Sequence, residues 1–135
     1  MKKLFLAALL SLMPACVMAD EAPLWQGSAT NALERQTAVI QEEPAWQEIW
    51  TRIGQPAPYA LPTNTLAVAV FVGQKRSGGY SVEFLDVRED AAKRIVTYRI
   101  KRPRLDESVT QALTSPYAVR LLQVTEKPVT LEEVH

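Results

Sequence analysis

The chain has 135 residues, of which 47% are hydrophobic and 22% charged, so it is long enough for one globular domain with a hydrophobic core. Its 15 Lys and Arg residues balance 15 Asp and Glu residues, and this zero formal net charge argues against a nucleic-acid-binding protein. With one cysteine, Cys16, no disulfide can form within the chain and no cysteine metal site is predicted.

Residues 1–19 are predicted to be a secretory signal peptide. Lysines at positions 2 and 3 give the positive start, residues 4–13 form an apolar run, and Val-Met-Ala at residues 17–19 has the small residues of a cleavage site. The apolar run is too short for a membrane-spanning helix, so no transmembrane segment is predicted. We therefore expect the protein to be periplasmic or secreted, with cleavage of the signal peptide between Ala19 and Asp20.

Cys16 leaves a second interpretation of this leader open. A lipoprotein signal would acylate the cysteine as the first residue of the mature chain, and the small Ala15 before it fits such a signal. Met13 and Pro14 fit it poorly, so soluble export is the favoured prediction.

Residues 20–43 are predicted to be an N-terminal lead that precedes a single domain at residues 44–135. Trp25 in the lead is predicted to anchor it against the body of the domain, because a large aromatic ring gains by burial. The β-branched residues of Thr37–Gln41 indicate a weak edge strand.

The clearest helix is predicted over Pro44–Ile53. Proline suits a first helical turn, and Gly54 supplies the left-handed residue that ends a helix. Four large apolar residues fall on one helical face: Trp46, Ile49, Trp50 and Ile53. A face with two tryptophans could form a ligand groove, but we interpret it as the cover of a sheet, because a small sheet needs one.

Four strands are predicted after a proline-rich connector: Leu66–Val72, Tyr80–Val87, Arg94–Lys101 and Tyr117–Val124. The first is apolar on both alternate faces, which is typical of a strand in the centre of a sheet. The polar, glycine-containing loop between the first two predicts a hairpin. The remainder, up to His135, is predicted to be a short final strand or a frayed tail.

These elements predict the α+β class, with a small antiparallel sheet of four to five strands and one helix packed on it. The alternative is an all-β sandwich or barrel with a peripheral helix. The sequence has no internal repeats.

Three consecutive pieces carry a family resemblance: the apolar strand, then Gly73-Gln74-Lys75-Arg76-Ser77-Gly78-Gly79-Tyr80, then Ser81-Val82-Glu83-Phe84. Together they resemble the core motif of the PrcB C-terminal domain family. Three other stretches also fit it, namely residues 46–50, 96–98 and 110–119, so the resemblance covers roughly Pro44 to Gln123.

The family takes its name from an accessory subunit of a secreted protease complex, and most of its members are small exported proteins. The resemblance therefore implies a protein partner, such as a secreted protease, and a context rather than a reaction. It implies no cofactor.

The loop after the first strand is the candidate protein-binding site: Lys75, Arg76, Ser77, Gly78, Gly79 and Tyr80. Lys75 and Arg76 supply charge, Tyr80 supplies an aromatic anchor, and the small residues let a partner's backbone approach. The simpler interpretation is turn chemistry, in which both glycines adopt positive φ. Both interpretations stand at this point.

No catalytic, cofactor-binding or metal site is predicted. The one histidine, His135, ends the sequence, and a frayed terminus cannot hold catalytic geometry. Four carboxylates lie close together in sequence, and we interpret them as a solvated turn rather than an acid–base pair or a metal site: Glu83, Asp86, Glu89 and Asp90.

The leading hypothesis is an exported, non-enzymatic protein-binding module, an accessory or stabilising subunit for a secreted protease or another envelope protein. One alternative is a protease inhibitor that presents the glycine loop, and another is an enzyme with an unrecognised site. A partner pull-down separates the first two from the third, and inhibition of secreted proteases separates the first from the second.

Overall fold

The computed structural model describes residues 23–135, so the predicted signal peptide and Cys16 lie outside the described residues. The described chain forms one helix and seven strands, in this order: β1 (Leu24–Gly27), β2 (Gln36–Ile40), α1 (Glu43–Ile53), β3 (Thr65–Phe71), β4 (Ser81–Glu89), β5 (Arg94–Lys101), β6 (Tyr117–Gln123) and β7 (Val129–Glu133). The predicted helix and the predicted strands are confirmed, with small differences at their ends.

The strands form two sheets. The larger sheet has the order β1-β6-β3-β2 and is antiparallel throughout. The smaller sheet has the order β4-β5-β7, in which β4 is antiparallel and β7 parallel to β5. Because β1 and β2 lie between residues 20 and 43, the predicted lead supplies the two outer strands of the larger sheet.

Strand β3 lies at the centre of three layers. Every residue from Leu66 to Phe71 is buried. Its alternate residues pack into different clusters, towards α1 with Ala67, Ala69 and Phe71, and towards the smaller sheet with Leu66, Val68 and Val70. The predicted central strand is therefore confirmed, and the larger sheet is covered on one face by α1 and on the other by the smaller sheet.

The α+β class is confirmed, with α1 packed on a four-stranded antiparallel sheet. The second sheet extends this architecture towards the sandwich of the alternative prediction. The predicted hairpin is wrong, because β3 already pairs with β2 on one edge and β6 on the other, which leaves no edge for β4. Since both faces of β3 are apolar, the chain that follows it crosses into the next layer and covers the second face.

Helix α1 begins and ends as its sequence predicts. Proline occupies the first turn, and Gly54 adopts φ 93°, with its N–H donating to the carbonyls of Trp50 at 2.9 Å and Thr51 at 3.1 Å. The four residues of the predicted apolar face are all buried against the larger sheet: Trp46, Ile49, Trp50 and Ile53. The interpretation of this face as the cover of a sheet is confirmed.

An aromatic cluster joins β1 to α1. The Trp25 ring lies edge-on to the rings of Trp46, Trp50 and Tyr59, with centroid distances of 5.9, 5.6 and 5.8 Å. Such edge-to-face pairs stabilise a core beyond the area they bury. The predicted role of Trp25 as an anchor is confirmed, and the segment that it anchors is a strand.

Candidate functional site

The chain leaves β3 at Gly73, where the backbone takes a conformation that L side chains rarely adopt. Gly73 has φ 90°, and a Cβ atom there would lie 3.1 Å from the backbone nitrogen of Arg35. Glycine is therefore required for the sharp change of direction between the layers. Residues 75–80, which we call the glycine loop, follow at this end of the sandwich.

A second segment, residues 102–115, braces the glycine loop through backbone hydrogen bonds. The Lys75 N–H donates to the Thr114 carbonyl at 2.7 Å, and the Thr114 N–H donates to the Lys75 carbonyl at 2.8 Å. The Gly78 N–H donates to the Thr110 carbonyl at 2.9 Å, and the Thr114 hydroxyl donates to the Ser77 carbonyl at 2.8 Å. These bonds hold the loop in one conformation, and we call residues 102–115 the bracing segment.

The two adjacent glycines play different parts. Gly79 has φ 92°, and a Cβ atom would lie 2.7 Å from the Pro103 Cβ and 2.8 Å from the Val109 Cγ1. Gly78 does not adopt positive φ, and the nearest atom to an added Cβ would be the Thr110 Cβ at 3.6 Å. The prediction of positive φ is thus confirmed for Gly79 and wrong for Gly78, which instead contributes a backbone donor.

The two basic residues of the loop differ: Lys75 contacts an aromatic ring, and Arg76 is exposed. The Lys75 Nζ lies 5.3 Å from the centroid of the Tyr80 ring, a cation–π distance, and both residues are half-buried. Arg76 is exposed and takes part in none of the ion pairs formed within residues 23–135. Ser77 is half-buried behind it. Arg76 is therefore the loop's most available charge.

The bracing segment adds an exposed apolar side chain next to its pairing with the glycine loop. Leu113 is 67% exposed and directly precedes Thr114, the partner of Lys75. The glycine loop and Leu113 form what we call the loop surface, a combination of apolar and basic groups that is typical of sites for protein partners.

The residues that lead into β6 hold the N-terminal strands to this end of the molecule. The buried Ser115 hydroxyl donates to the Thr30 carbonyl and accepts from the Thr30 N–H, both at 2.8 Å. The Val72 N–H donates to the Pro116 carbonyl at 3.0 Å. Residues 115–117 thus lie close to the start of the glycine loop, because β3 pairs with β6. The role of Thr30 has no signal in the sequence.

The carboxylates that are close together in sequence each interact with a different partner in the fold. Glu83 pairs with Arg99 across the β4–β5 ladder, and the hydrogen bond from Arg99 holds the pKa of Glu83 below its ordinary value. Asp86 accepts a hydrogen bond from the Thr97 hydroxyl. Neither carboxylate is presented as a free base.

The other two carboxylates of the cluster lie at the turn between β4 and β5. Hydrogen bonds from Arg94 and Lys127 lower the pKa of Glu89. The Asp90 carboxylate accepts from the backbone N–H groups of residues 92 and 93, which lowers its pKa. Within residues 23–135, no group of three or more acidic, histidine or cysteine side chains could hold a metal ion.

A cleft of about 410 Å³ opens between β1 of the larger sheet and β4 of the smaller one. Its lining comes from four strands: Leu24 and Gln26 of β1, residues 81–85 of β4, Lys101 of β5 and Arg120 of β6. This cleft has no signal in the sequence, because it forms only where the two layers end side by side.

The segment from the start of β3 to the middle of β6 includes the glycine loop, the bracing segment and both β4 and β5. Residues 66–120 match the family described as PrcB C-terminal. This segment is similar to the PrcB C-terminal family. The resemblance predicted from the sequence is therefore confirmed over these residues, and all six residues of the glycine loop lie within the PrcB C-terminal segment.

The PrcB C-terminal segment excludes α1, β1, β2 and β7, which complete the two sheets around it. Searches of curated proteins and of solved structures returned no significant match. In the part of the chain that the structure describes, no helix is long and apolar enough to cross a membrane.

Proposed function

We propose that this protein is an exported, non-enzymatic binding module that acts as an accessory or stabilising subunit for a secreted protease or another envelope protein. The observation that carries the proposal is a rigid loop with an exposed charge: the bracing segment fixes the glycine loop, while Arg76 and Leu113 stay accessible. The PrcB C-terminal match supports a protease complex as the setting.

Rigidity favours recognition because a loop that is already ordered loses little conformational entropy on binding. The paired backbone bonds between Lys75 and Thr114 supply that order before any partner arrives. Arginine and tyrosine are also enriched among the residues that dominate binding energy at protein interfaces. Arg76 and the half-buried Tyr80 are of these two types.

Two further features support the non-enzymatic and exported parts of the proposal. The clustered carboxylates are engaged by Arg99, Arg94, Lys127 and Thr97, which makes them unsuited to general-base catalysis. The export signal is the pattern of residues 1–19, with cleavage before Asp20. The intact mass of native protein tests export: a mass that begins at residue 20 supports it, and a mass with Cys16 and acyl chains would indicate a lipoprotein.

The partner is tested by capture on immobilised protein from the native envelope fraction, followed by mass spectrometry and titration of each captured protein. We expect a secreted protease or an associated envelope protein to bind, and Arg76→Glu to weaken that binding by about tenfold or more. Arg52→Glu is the matched control, because Arg52 is an exposed arginine of α1 and lies outside the loop surface. Equal affinity of Arg76→Glu and the unaltered protein would remove the loop surface from the interface.

A second candidate function, protease inhibition, is favoured by the same rigidity together with the exposed basic side chain of Arg76. An inhibitor must present a loop that resists rearrangement after it enters the active site, and the bracing segment gives the glycine loop that resistance. Residual activity of a panel of secreted proteases separates the two functions. Inhibition that Arg76→Glu abolishes would favour the inhibitor, and undiminished activity of a bound protease would favour the accessory subunit.

A further inference from the structure

The two sheets end side by side at β1 and β4, and both strands have an edge with no neighbouring strand. β1 pairs only with β6, and β4 pairs only with β5, among residues 23–135. The cleft of about 410 Å³ lies between them. At the opposite side of the sandwich, Arg35 beside β2 forms an ion pair with Glu133 of β7, which ties the two layers together. The β1–β4 side is therefore the open side.

The lining of the cleft shows which strand presents its backbone to it. Successive side chains of a strand point to opposite faces of its sheet. β1 lines the cleft with alternate residues, Leu24 and Gln26, so it contributes one side-chain face. β4 lines it with five successive residues, 81–85, so it meets the cleft along its backbone edge. The unpaired N–H and C=O groups of β4 are available there to a further strand.

The charge of the cleft indicates what kind of strand it fits. Lys101 is exposed at its wall, and Arg120 lies 6.0 Å from the centroid of the Phe84 ring. The one carboxylate in the lining, Glu83, is already paired with Arg99. The exposed ammonium group of Lys101 gives this wall a positive charge, which favours an acidic occupant.

Apolar groups accompany this charge. Leu24 is 47% exposed and Leu85 is 39% exposed, and both line the cleft. A strand that alternates apolar and acidic residues would place its apolar set towards Leu24, which faces the smaller sheet, and its acidic set beside Lys101 on the outer face of that sheet, where Lys101 pairs with Ser81. The regular β4–β5 register runs from Ser81 to Phe84 and shifts before Val87, so a regular added strand pairs with these four residues of β4.

We propose that the cleft binds an extended acidic segment of a partner protein, which adds to β4 as a further strand of the smaller sheet. Strand addition to an open sheet edge is an established mode of peptide recognition, in which the backbone supplies affinity and the side chains supply specificity. β4 begins directly after Tyr80, so the cleft continues the loop surface. The inference goes beyond the proposed function by naming a second surface and the chemistry of its occupant.

The probe is a synthetic seven-residue peptide of alternating valine and glutamate, with blocked ends, titrated against the full chain. One control peptide has lysine in place of glutamate. The other has N-methyl groups on alternate residues, so that one edge of the peptide strand has no N–H donors. We expect the affinity of each control to be lower by about tenfold or more. The lysine peptide loses charge complementarity, and the N-methylated peptide loses backbone hydrogen bonds. No binding at millimolar peptide, or equal binding of the N-methylated control, would overturn the proposal.

Amide hydrogen exchange locates the bound strand. In an antiparallel pair, alternate residues of a strand point their N–H groups to the same side. Every second amide within residues 81–85 should therefore exchange readily in the free protein and become protected by the peptide. Saturable binding that leaves these amides unchanged would place the peptide elsewhere and overturn the proposal.

Three variants separate this inference from the proposed function. Lys101→Glu should weaken the acidic peptide by about tenfold, whereas Lys93→Glu, at the other end of the β4–β5 hairpin, should not. Arg76→Glu should leave peptide binding unchanged, so failure of the loop surface and failure of the cleft are distinguishable. A dimer in sedimentation experiments that Lys101→Glu disrupts and the peptide fails to compete would show that a second copy occupies the edge, which also overturns the proposal.

Discussion

The two faces of the larger sheet are covered by different means. On one face, α1 brings Trp46 and Trp50 over the small residues Ala67 and Ala69 of β3. On the other face, the smaller sheet brings aliphatic side chains against residues such as Leu66. The helical cover comes from one continuous segment with an apolar stripe, whereas the sheet cover is assembled from strands that are distant in sequence. A short window of sequence therefore predicts the helical cover, whereas the sheet cover depends on tertiary contacts.

Removal of a large aromatic side chain from the helical cover should have the largest effect on stability. Trp50 is 2% exposed and contacts Trp25, Trp46 and Tyr117 edge-on, so Trp50→Ala should lower the free energy of unfolding by about 3–5 kcal/mol. Gln47→Ala, on the exposed face of α1, is the control and should cost little. Equal small effects of the two substitutions in denaturant titrations would mean that α1 does not cover the sheet.

Truncation on the opposite face tests whether the second cover stabilises the sheet comparably. Leu66 is fully buried among Val68, Val96 and the partly buried residues of the smaller sheet. Leu66→Ala should therefore lower the free energy of unfolding by about 3 kcal/mol. Chemical denaturation measures it, with the exposed Leu113→Ala as control. A loss as small as that of the control would show that the two sheets pack loosely.

The same difference explains what could be predicted from the sequence. Trp46, Ile49, Trp50 and Ile53 recur at helical spacing, so a short window contains the whole signal for α1 and for the face that it buries. The central position of β3 was equally accessible, because both of its alternate faces are apolar.

The rest was not accessible, because the relevant partners are distant in sequence. A glycine loop between two strands has the same local pattern whether it joins neighbours in one sheet or crosses between two. The bracing contact of Lys75 with Thr114 and the bond of Thr30 to Ser115 join residues that no local pattern connects. Of the candidate site, composition identified the glycine loop, while its partner segment and the cleft required the tertiary structure.

The glycine loop joins the larger sheet to the smaller sheet that covers it, and a single residue in it should be sensitive to substitution. Gly79→Val forces a β-branched side chain to positive φ and against Pro103 and Val109, so it should lower stability by about 2 kcal/mol or more. Gly78→Ala meets no close contact and should change stability by less than about 1 kcal/mol. Thermal unfolding of the pair distinguishes them, and matching losses would contradict the difference in backbone conformation.

Acid should act on the smaller sheet rather than on the helical cover. Glu83 and Glu89, both on β4, have pKa values lowered from the ordinary value of 4.5, first of all by hydrogen bonds from Arg99 and Arg94. A carboxylate whose pKa is lowered by folding stabilises the protein above its unfolded pKa and loses that contribution as pH falls through the folded value. We therefore expect a modest loss of stability below pH 4.5, and Glu89→Gln should reduce it. An unchanged acid profile in that variant would contradict this assignment.

The smallest effect on stability is expected at the loop surface. Lys75→Ala combined with Arg76→Ala should shift the free energy of unfolding by no more than about 0.5 kcal/mol, because Arg76 is exposed and Lys75 contributes only an accessible cation–π contact. The same double variant should weaken binding to the captured partner. A large loss of stability would show that the basic pair serves the fold, and the recognition role would then lose its support.

The order in which the chain visits the two sheets has a consequence for how the molecule can be divided. After β3 in the larger sheet, the chain forms β4 and β5 in the smaller sheet. It then returns to the larger sheet for β6 and ends in the smaller sheet with β7. Neither sheet is contiguous in sequence, so no single cut releases an autonomous half. A fragment limited to residues 66–120 would lack α1, both outer strands of the larger sheet and β7. The segment that matches the family is thus shorter than the segment that builds the two sheets, and the interleaved layers should unfold in one cooperative step.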